Sequence, residues 1–488
     1  MIDRNKLTEI VGAKNIISDN ATLEKYANDM SFVGSIKPEY IVKPGNADDV
    51  EKLVNLARKN KVPLIPVSSG APHFRGDTVP SVGGAVIVDL SYMKKIIRID
   101  RYNRVVMFEP GVTFGELIPA VAKEGLRLNI PLCPRKSKSV VGSMLEREPV
   151  IMPGYHWDIG DPLCDVEVIL GNGDLFRTGA AAGPGTLEEQ WKVGGAQKEA
   201  AGPSSASWYR VIQGSQGTMG IVTWASARCE ILPGKEEPFL IGSTDFSKIM
   251  EMAHWLIRLR MVNECFILNS TNLATIMAQG NPAAYQPMRN SLPQWIIFYN
   301  VAAYDYLTED RVKWQVLDIK DLSQRVGLEP AQSLGNVSAF DLLKTSQSPP
   351  GDFYWRTPAD WASHDVFFIT KFQKVGELID AMYAIAADAG YMTANMGVYV
   401  QPVVQGVNYH VEFNLFYNPA DTVETERVKK LSVGAVRKLM DKGAFFSRPY
   451  GEAAGIVMNR DAATVDALKK VKSILDPDNI MNPGKLCF

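Results

Sequence analysis

The sequence predicts an α+β protein of more than one domain, and three observations carry that expectation. Short strand-like runs alternate with helix-period stretches over the first 233 residues. From Phe239 onward, four longer strand-like runs alternate with four helical ones. The chain is 46% hydrophobic and 22% charged over 488 residues, ample for two or three cores.

"YIVKPGNADDVEKLVNLARKNKVPLIPV" reads as strand, helix, strand. Asn46 is placed as N-cap, Asp48 and Asp49 suit the positive end of the helix dipole, and Val50, Leu53, Val54 and Ala57 recur at helical spacing. "AVIVDL", "IIRID" and "RVVMFEPG" give short strands, and "FGELIPAVAKEGL" a helix. "CDVEVILGNGDLFRTG" alternates around Asn172-Gly173, a hairpin signal, and "GTMGIVTWASARCEILP" alternates again up to Pro233. Ala180 to Ser207 is poor in large apolar side chains and reads as a long mobile loop. "QWIIFYNVAAY", "DVFFIT", "GVYVQPVV" and "YHVEFNLFY", with helices near 246–260, 308–327, 373–390 and 422–441, read as one antiparallel sheet backed by helices. "ALKKVKSILDPDNIMNPGKLCF" closes with a helix and a Pro-Gly turn that returns to the first domain.

A formal net charge of −2 gives no global basic field for nucleic acid or membrane. No apolar run is long enough to span a bilayer, and the charged "MIDRNKLTEIVGAKN" lacks the apolar region of a secretory signal. Five cysteines without metal-like spacing read as reduced thiols, and the expected location is the cytoplasm.

"PLIPVSSGAPHFRGD" runs a strand into a bend of small residues. Such a bend leaves successive N–H groups free to converge on an anion, and Gly70 with Ser68, Ser69 and Ala71 permits close approach. On its own, the bend reads first as an ordinary turn between strand and helix. No GxGxxG opens a helix here, because a strand-like run follows "GSQGTMG".

"PVSSGAPHFRG", "VIVDLSYMKKII", "VMFEPGVTFGEL", "SVVGSMLERE", "YHWDIGDPLCDVEVILGNGDLFRTG", "GSQGTMGIVT" and "ILDPDNIMNPGK" follow one another in an order that resembles the FAD-linked oxidoreductases of the vanillyl-alcohol oxidase / 4-cresol dehydrogenase superfamily. The resemblance covers Tyr40 to Val222 and the C-terminal end. It implies a PCMH-type FAD-binding domain of two α+β subdomains at 1–233, a cap domain at 234–441, and a return to the FAD-binding domain at 442–488. It implies that Val67, Ser68, Ser69, Gly70 and Ala71 offer N–H groups to the diphosphate of FAD. Pro134, Ser139, Val141, Gly142 and Ser143 would form a second contact region, and Gly217, Gly220, Ile221 and Val222 would follow the ribityl chain and adenine. Asn482 and Lys485 would lie near the flavin ring, where a lysine stabilises the anionic reduced form.

The phenol-oxidising branch of this superfamily uses two tyrosines, an arginine and an aspartate, and this sequence departs from that set. The loop tyrosine falls on Arg75, the aspartate on Tyr155, and "SRPYGE" offers Arg448, Tyr450 and Glu452 instead of the Tyr-Arg pair. Arg75 and Arg448 are read either as a clamp for a carboxylate or phenolate, or as structural ion pairs. In "NYHVEFNLF", alternation places Asn408, His410, Glu412 and Asn414 on one strand face, read as lining a polar cavity rather than meeting water. His410 is then the general base, or polarises a substrate hydroxyl, and Glu412 orients it. His410 and His73 are the two candidates for a covalent flavin link, which is not expected. No metal site is expected, because three ligands are not evident. His254 reads as structural.

The reaction expected is hydride transfer from a carbon next to oxygen to flavin N5, by an oxidase or dehydrogenase. The first substrate class is an aromatic alcohol or 4-alkylphenol-like compound. The alternative is a 2-hydroxy acid of the lactate or glycolate kind, and a second alternative is a flavin-bearing electron-transfer subunit. Oxygen, a cytochrome, an electron-transferring flavoprotein and a quinone all remain open as acceptors, as does the oligomeric state, a homo-oligomer included.

Overall fold

The computed structural model describes residues 2–158, 160–203, 207–348, 353–358 and 361–488. Three sheets organise the α+β fold. The first has four strands in the order Ile16–Ile17, Tyr40–Val42, Val86–Asp89, Leu64–Val67. Its last three are mutually parallel, and the helix Ala47–Asn60 makes the crossover between Tyr40–Val42 and Leu64–Val67. That helix starts where its cap predicts: Asn46 Oδ1 accepts from the Asp49 N–H at 2.9 Å, and Val50, Leu53, Val54 and Ala57 are buried. Lys61, left-handed at φ 51°, ends it.

The second sheet is antiparallel, in the order Ile96–Asp100, Val105–Phe108, Gly220–Ile231, Leu163–Leu170, Leu175–Arg177, with Leu126–Leu128 pairing on Gly220–Ile231. The hairpin from Leu163–Leu170 to Leu175–Arg177 turns at Asn172-Gly173, where Gly173 takes φ 89°.

The third sheet is wholly antiparallel, ordered Lys235–Ser243, Trp295–Ala303, Cys265–Asn269, Met396–Val403, Asn408–Tyr417, Ala362–Thr370. One face packs on the helices Phe246–Arg258, Thr308–Val326, Val375–Asp388 and Thr422–Asp441 through a single apolar cluster. The two strands Lys235–Ser243 and Cys265–Asn269 and the helices Ser270–Ala278, Pro282–Ser291 and Ala339–Gln347 escaped the sequence reading. The other face carries the polar residues discussed below.

The stretch 180–207 differs from the loop expected there. It holds the helix Leu187–Lys192, started by a capping box between Thr186 and Glu189, and it buries Ala181 and Leu187 against Met107 and Trp224. Local capping and four apolar side chains suffice to fix a segment of low overall hydrophobicity; residues 204–206 of the expected loop lie outside the described residues.

After the helix Ala462–Leu475 the chain pairs alongside Leu64–Val67. The Leu64 N–H donates to the Ile480 carbonyl at 2.7 Å and the Asn482 N–H to the Leu64 carbonyl at 2.9 Å. This return is held by a buried ion pair between Lys472 and Asp476. Asp476 also accepts from the N–H groups of Ile480 at 3.1 Å and Met481 at 2.8 Å, and Lys472 Nζ donates to the Met481 carbonyl at 3.0 Å. Asp476→Ala strands a buried ammonium and two N–H groups. We expect it to cost about 3–5 kcal/mol in urea unfolding, with a larger loss than Asp476→Asn.

Candidate active site

Bare backbone, not side chains, forms one end of a cleft between the sheets. The strand Leu64–Val67 leads into Ser68–Ala71, and among the described residues the N–H groups of Ser68, Ser69, Gly70 and Ala71 donate to no protein acceptor. The Val141 N–H, across the cleft, is equally unpaired. The two backbones are stitched together, the Ser139 N–H donating to Ser69 Oγ at 3.0 Å and Ser139 Oγ accepting from the Gly142 N–H at 2.9 Å. Glycines permit this approach: a Cβ on Gly142 would meet Ser68 Oγ at 3.0 Å, and one on Gly217, at φ 72°, would meet Pro66 at 2.5 Å.

Of the residues expected to touch the cofactor, Ser68, Ser69, Pro134, Val141, Gly142, Gly217, Gly220 and Val222 line this cavity. Val67 and Ile221 instead point into apolar cores. Ser143 Oγ donates to Glu148 Oε2 at 2.5 Å. Asn482 Nδ2 donates to the carbonyls of Asp77 and Gln216 at 2.8 and 2.7 Å, and Lys485 Nζ to that of Gly76 at 2.7 Å, so both fasten the loop after the bend. Arg135 and Lys138 add two cations to the same wall. A row of free N–H donors with cations beside it fits a diphosphate.

The other end of the cavity lies against the polar face of the third sheet. Asp365 lines it, with Arg75, Tyr354, Arg356 and Tyr450. Arg75 lies over the rings of Phe367 at 4.6 Å and Tyr450 at 5.2 Å, with Glu146 Oε2 3.6 Å from its Nε. Arg448 lies over the same Phe367 ring at 4.5 Å, and its Nη1 donates to the Glu146 carbonyl at 3.3 Å. The structure thus brings Arg75, Arg448 and Tyr450 together. Their charge balance differs: among the described residues Arg448 has no carboxylate partner, although its side chain is buried. Burial, and then Arg75, draw its guanidinium down to about 10.

Behind this wall His410, Glu412 and Asn414 sit on one strand face as alternation predicts, but they line neither water nor the cavity. They form a buried network. Arg356 Nε and Nη2 donate to Glu412 Oε1 at 2.8 and 2.6 Å, Asn414 Nδ2 reaches the same oxygen at 2.8 Å and Asp365 Oδ1 at 2.9 Å, and His410 Nε2 lies 3.2 Å from Glu412 Oε2. Burial alone would neutralise Glu412; Arg356 and His410 overcome it and hold the carboxyl well below its usual range. With Glu412 ionised, Nε2 of a neutral His410 carries the hydrogen.

Tyr155 is not at the site: its hydroxyl accepts from Asn263 Nδ2 at 3.1 Å, beside the buried Arg127–Glu264 pair. The short helix Pro153–Tyr155 turns it toward the third sheet's rim. His73 lines the cleft beside the bend, with its carbonyl accepting from the Met30 N–H at 2.9 Å. Among the described residues no three His, Cys, Asp or Glu side chains cluster as metal ligands. Residues 204–206, 349–352 and 359–360 aside, the sequence reading missed Asp365, Tyr354, Arg356, Glu146 and Glu148. For Asp365 the signal was present, since alternation in "SHDVFFIT" puts Ser363, Asp365 and Phe367 on one face.

Residues 38–179 match the family model of the FAD binding domain, and residues 450–486 that of the FAD linked oxidases, C-terminal domain. The chain is a PCMH-type FAD-binding oxidoreductase. FAD is its cofactor, and the row of free N–H groups lies within the first matched segment. This oxidoreductase is 23% identical to the glycolate oxidase subunit GlcD of Bacillus subtilis, over 99% of this chain and 96% of that one. It is 28% identical to the flavoprotein subunit of 4-cresol dehydrogenase [hydroxylating] of Pseudomonas putida, over 57% of this chain and 51% of that one. Its fold matches 4-ethylphenol oxidase from Gulosibacter chungangensis with a TM-score of 0.82 at 19% identity, covering 99% of this chain and 97% of the other. No helix among the described residues of the oxidoreductase is long and apolar enough to cross a membrane.

Burial, with Arg448 and Arg356 nearby, draws His410 down to about 4, against the opposing pull of Glu412. A base whose folded pKa is lowered favours the native state fully above the unfolded value near 6.5. That contribution is lost as pH falls toward 4, because the unfolded chain then binds a proton that the native one refuses. We expect His410→Asn to remove about 3 kcal/mol of the stability change between pH 6.5 and 4, read as the difference in urea midpoints between variant and parent.

Proposed function

We propose that this oxidoreductase acts on the C–H bond next to a hydroxyl and that its substrate is a 2-hydroxy carboxylate. The observation that carries the reading is Arg448, a buried guanidinium over Phe367 with no carboxylate partner among the described residues, beside Arg75. A buried cation without a counter-ion is costly, and a substrate carboxylate supplies the missing charge. The match to a glycolate oxidase subunit along the whole chain, against a 4-cresol dehydrogenase match over 57% of it, supports the 2-hydroxy acid over the aromatic alcohol expected first.

When bound, FAD supplies the two-electron acceptor, at N5, for the hydride that leaves substrate C2. Arg448 and Arg75 grip the carboxylate and fix the rotation of C2. Asp365, a carboxylate that lines the cavity, takes the hydroxyl proton at Oδ2, and a 2-oxo acid results. Asn414 Nδ2 and Ser363 Oγ hold Asp365 Oδ1 at 2.9 and 2.7 Å, which leaves Oδ2 facing Arg356 at 3.4 Å. His410 becomes a positioning residue: it and Arg356 share Glu412, which sets the guanidinium that flanks Asp365. Tyr450 stays protonated, because burial and then Glu146 raise its hydroxyl.

A 4-alkylphenol or benzylic alcohol is the second reading. It is favoured by the aromatic rings of Phe74, Tyr354, Phe367 and Tyr450 around the same arginines, since a guanidinium binds a phenolate as well.

The test is anaerobic bleaching of the flavin. We expect 2-hydroxy acids to reduce it and 4-alkylphenols and 4-hydroxybenzyl alcohol to fail; the reverse outcome establishes the second reading, and reduction by a partner protein alone establishes an electron-transfer subunit. Asp365→Asn should slow reduction about a hundredfold while leaving affinity for the 2-oxo acid unchanged. Arg448→Met should weaken that affinity about tenfold to a hundredfold and at the same time raise the urea midpoint of the substrate-free protein, since it removes an uncompensated buried charge.

A further inference from the structure

A second cavity, of about 390 Å³, lies behind the first and shares Phe74, Arg75, Gln216, Asp365 and Tyr450 with it. It therefore opens onto the space in which the substrate carboxylate is placed above, and its size falls within the range of about 300–1,000 Å³ typical of small-molecule sites. Its inner end carries Arg75 and Arg448. Beyond them lie apolar side chains, Val433 and Val436 from the helix Thr422–Asp441, Phe446 from the turn after it, and Ala453 from the helix Gly451–Met458, interspersed with Lys429, Ser432 and Glu452.

The part of the wall formed by Phe32 and Val33 is fixed. Asp29 Oδ1 accepts from the Ser31 N–H at 2.8 Å, and Asp29 Oδ2 from the Gly76 N–H at 2.6 Å. Val33 then packs so tightly on the loop that a Cβ at Gly76, φ 75°, would lie 2.3 Å from its Cγ2. Phe32 stacks on His364 with ring centroids 4.6 Å apart. Water against the apolar part of these walls has few hydrogen-bond partners, and apolar groups that displace it gain free energy. Glycolate has no side chain and lactate only a methyl group, so neither fills this space once its carboxylate is held at the arginines.

We infer that the second cavity is the side-chain pocket of the substrate, and that the protein selects 2-hydroxy acids with a long or aromatic apolar side chain over glycolate and lactate. The inference rests on the 2-hydroxy-acid reading and deepens it. The carboxylate sits at the neck between the cavities, C2 faces the first cavity, and the side chain runs past Arg448 toward Val433 and Ala453.

The experiment is anaerobic flavin reduction of the holoenzyme by glycolate, lactate, 2-hydroxyhexanoate, 2-hydroxyoctanoate and 3-phenyllactate, in the parent and in Ala453→Trp and Val433→Trp. Both substitutions enlarge side chains that face the chamber and touch no group assigned to the reaction, and the flavin spectrum reports that each variant is folded. We expect kcat/KM in the parent to rise about fourfold for each methylene accommodated. Either tryptophan should erase that rise and leave lactate unaffected. A flat or falling series, with lactate still reducing the flavin, overturns this inference alone, as does a parent-like series in both variants. Failure of every acid to reduce the flavin overturns the 2-hydroxy-acid reading, and this inference with it.

Discussion

A carboxylate in the middle of a sheet face, shut off from water, must be protonated or paired, and Glu412 is paired. Its partner Arg356 comes from a different part of the chain and donates twice to one oxygen. Because a guanidinium so placed is itself buried, it too needs its surroundings satisfied, and Tyr354, Asp365 and the Trp355 ring, 4.2 Å away, do this. One charge deep in the third sheet thereby dictates the position of the segment 353–358 and the orientation of the acid at the cavity wall. The network is closed at its far side by Asn272, whose Nδ2 donates to Asn414 Oδ1 at 2.8 Å. Few arrangements satisfy so many groups at once, so the wall is stiff.

The two ends of the cavity obey opposite rules. At the cofactor end selectivity comes from leaving things out: small side chains, a glycine that nearly touches Ser68, and N–H groups with no internal partner. At the substrate end it comes from side chains whose charges nearly cancel. Arg75 has Glu146, Arg356 has Glu412, and Arg448 has only a backbone carbonyl and an aromatic face. One guanidinium without a carboxylate in contact, among others that are paired, is a more selective anion site than a strongly basic surface, which would attract any anion at long range.

What the sequence disclosed follows the range of the interactions involved. Asn46 and its helix, the Asn172-Gly173 turn and the four strands after Phe239 are written in neighbours a few residues apart, and those are legible. The bend of free N–H groups was legible because its message is the absence of side chains. Alternation also put His410 and Glu412 on one face correctly, yet it gave no sign that Arg356 would cover them, and so a buried network was read as a cavity lining. Tyr155 was carried over by resemblance alone, and its backbone turns the ring toward Asn263 instead. Arg75 and Arg448, 373 positions apart in the numbering, both lie against one phenylalanine ring; no local pattern could announce that arrangement.

The strand Leu64–Val67 borders the free N–H row, and its outer partner is the segment around Met481. A ribosome must therefore have delivered more than four hundred residues between the two, the entire third sheet among them, before the edge of that strand is covered. During synthesis the early part of the chain waits with an open strand edge, which is an invitation to pair with a neighbouring nascent copy. The row of free N–H groups therefore stands beside an unfinished sheet edge until the last residues of the chain have been made.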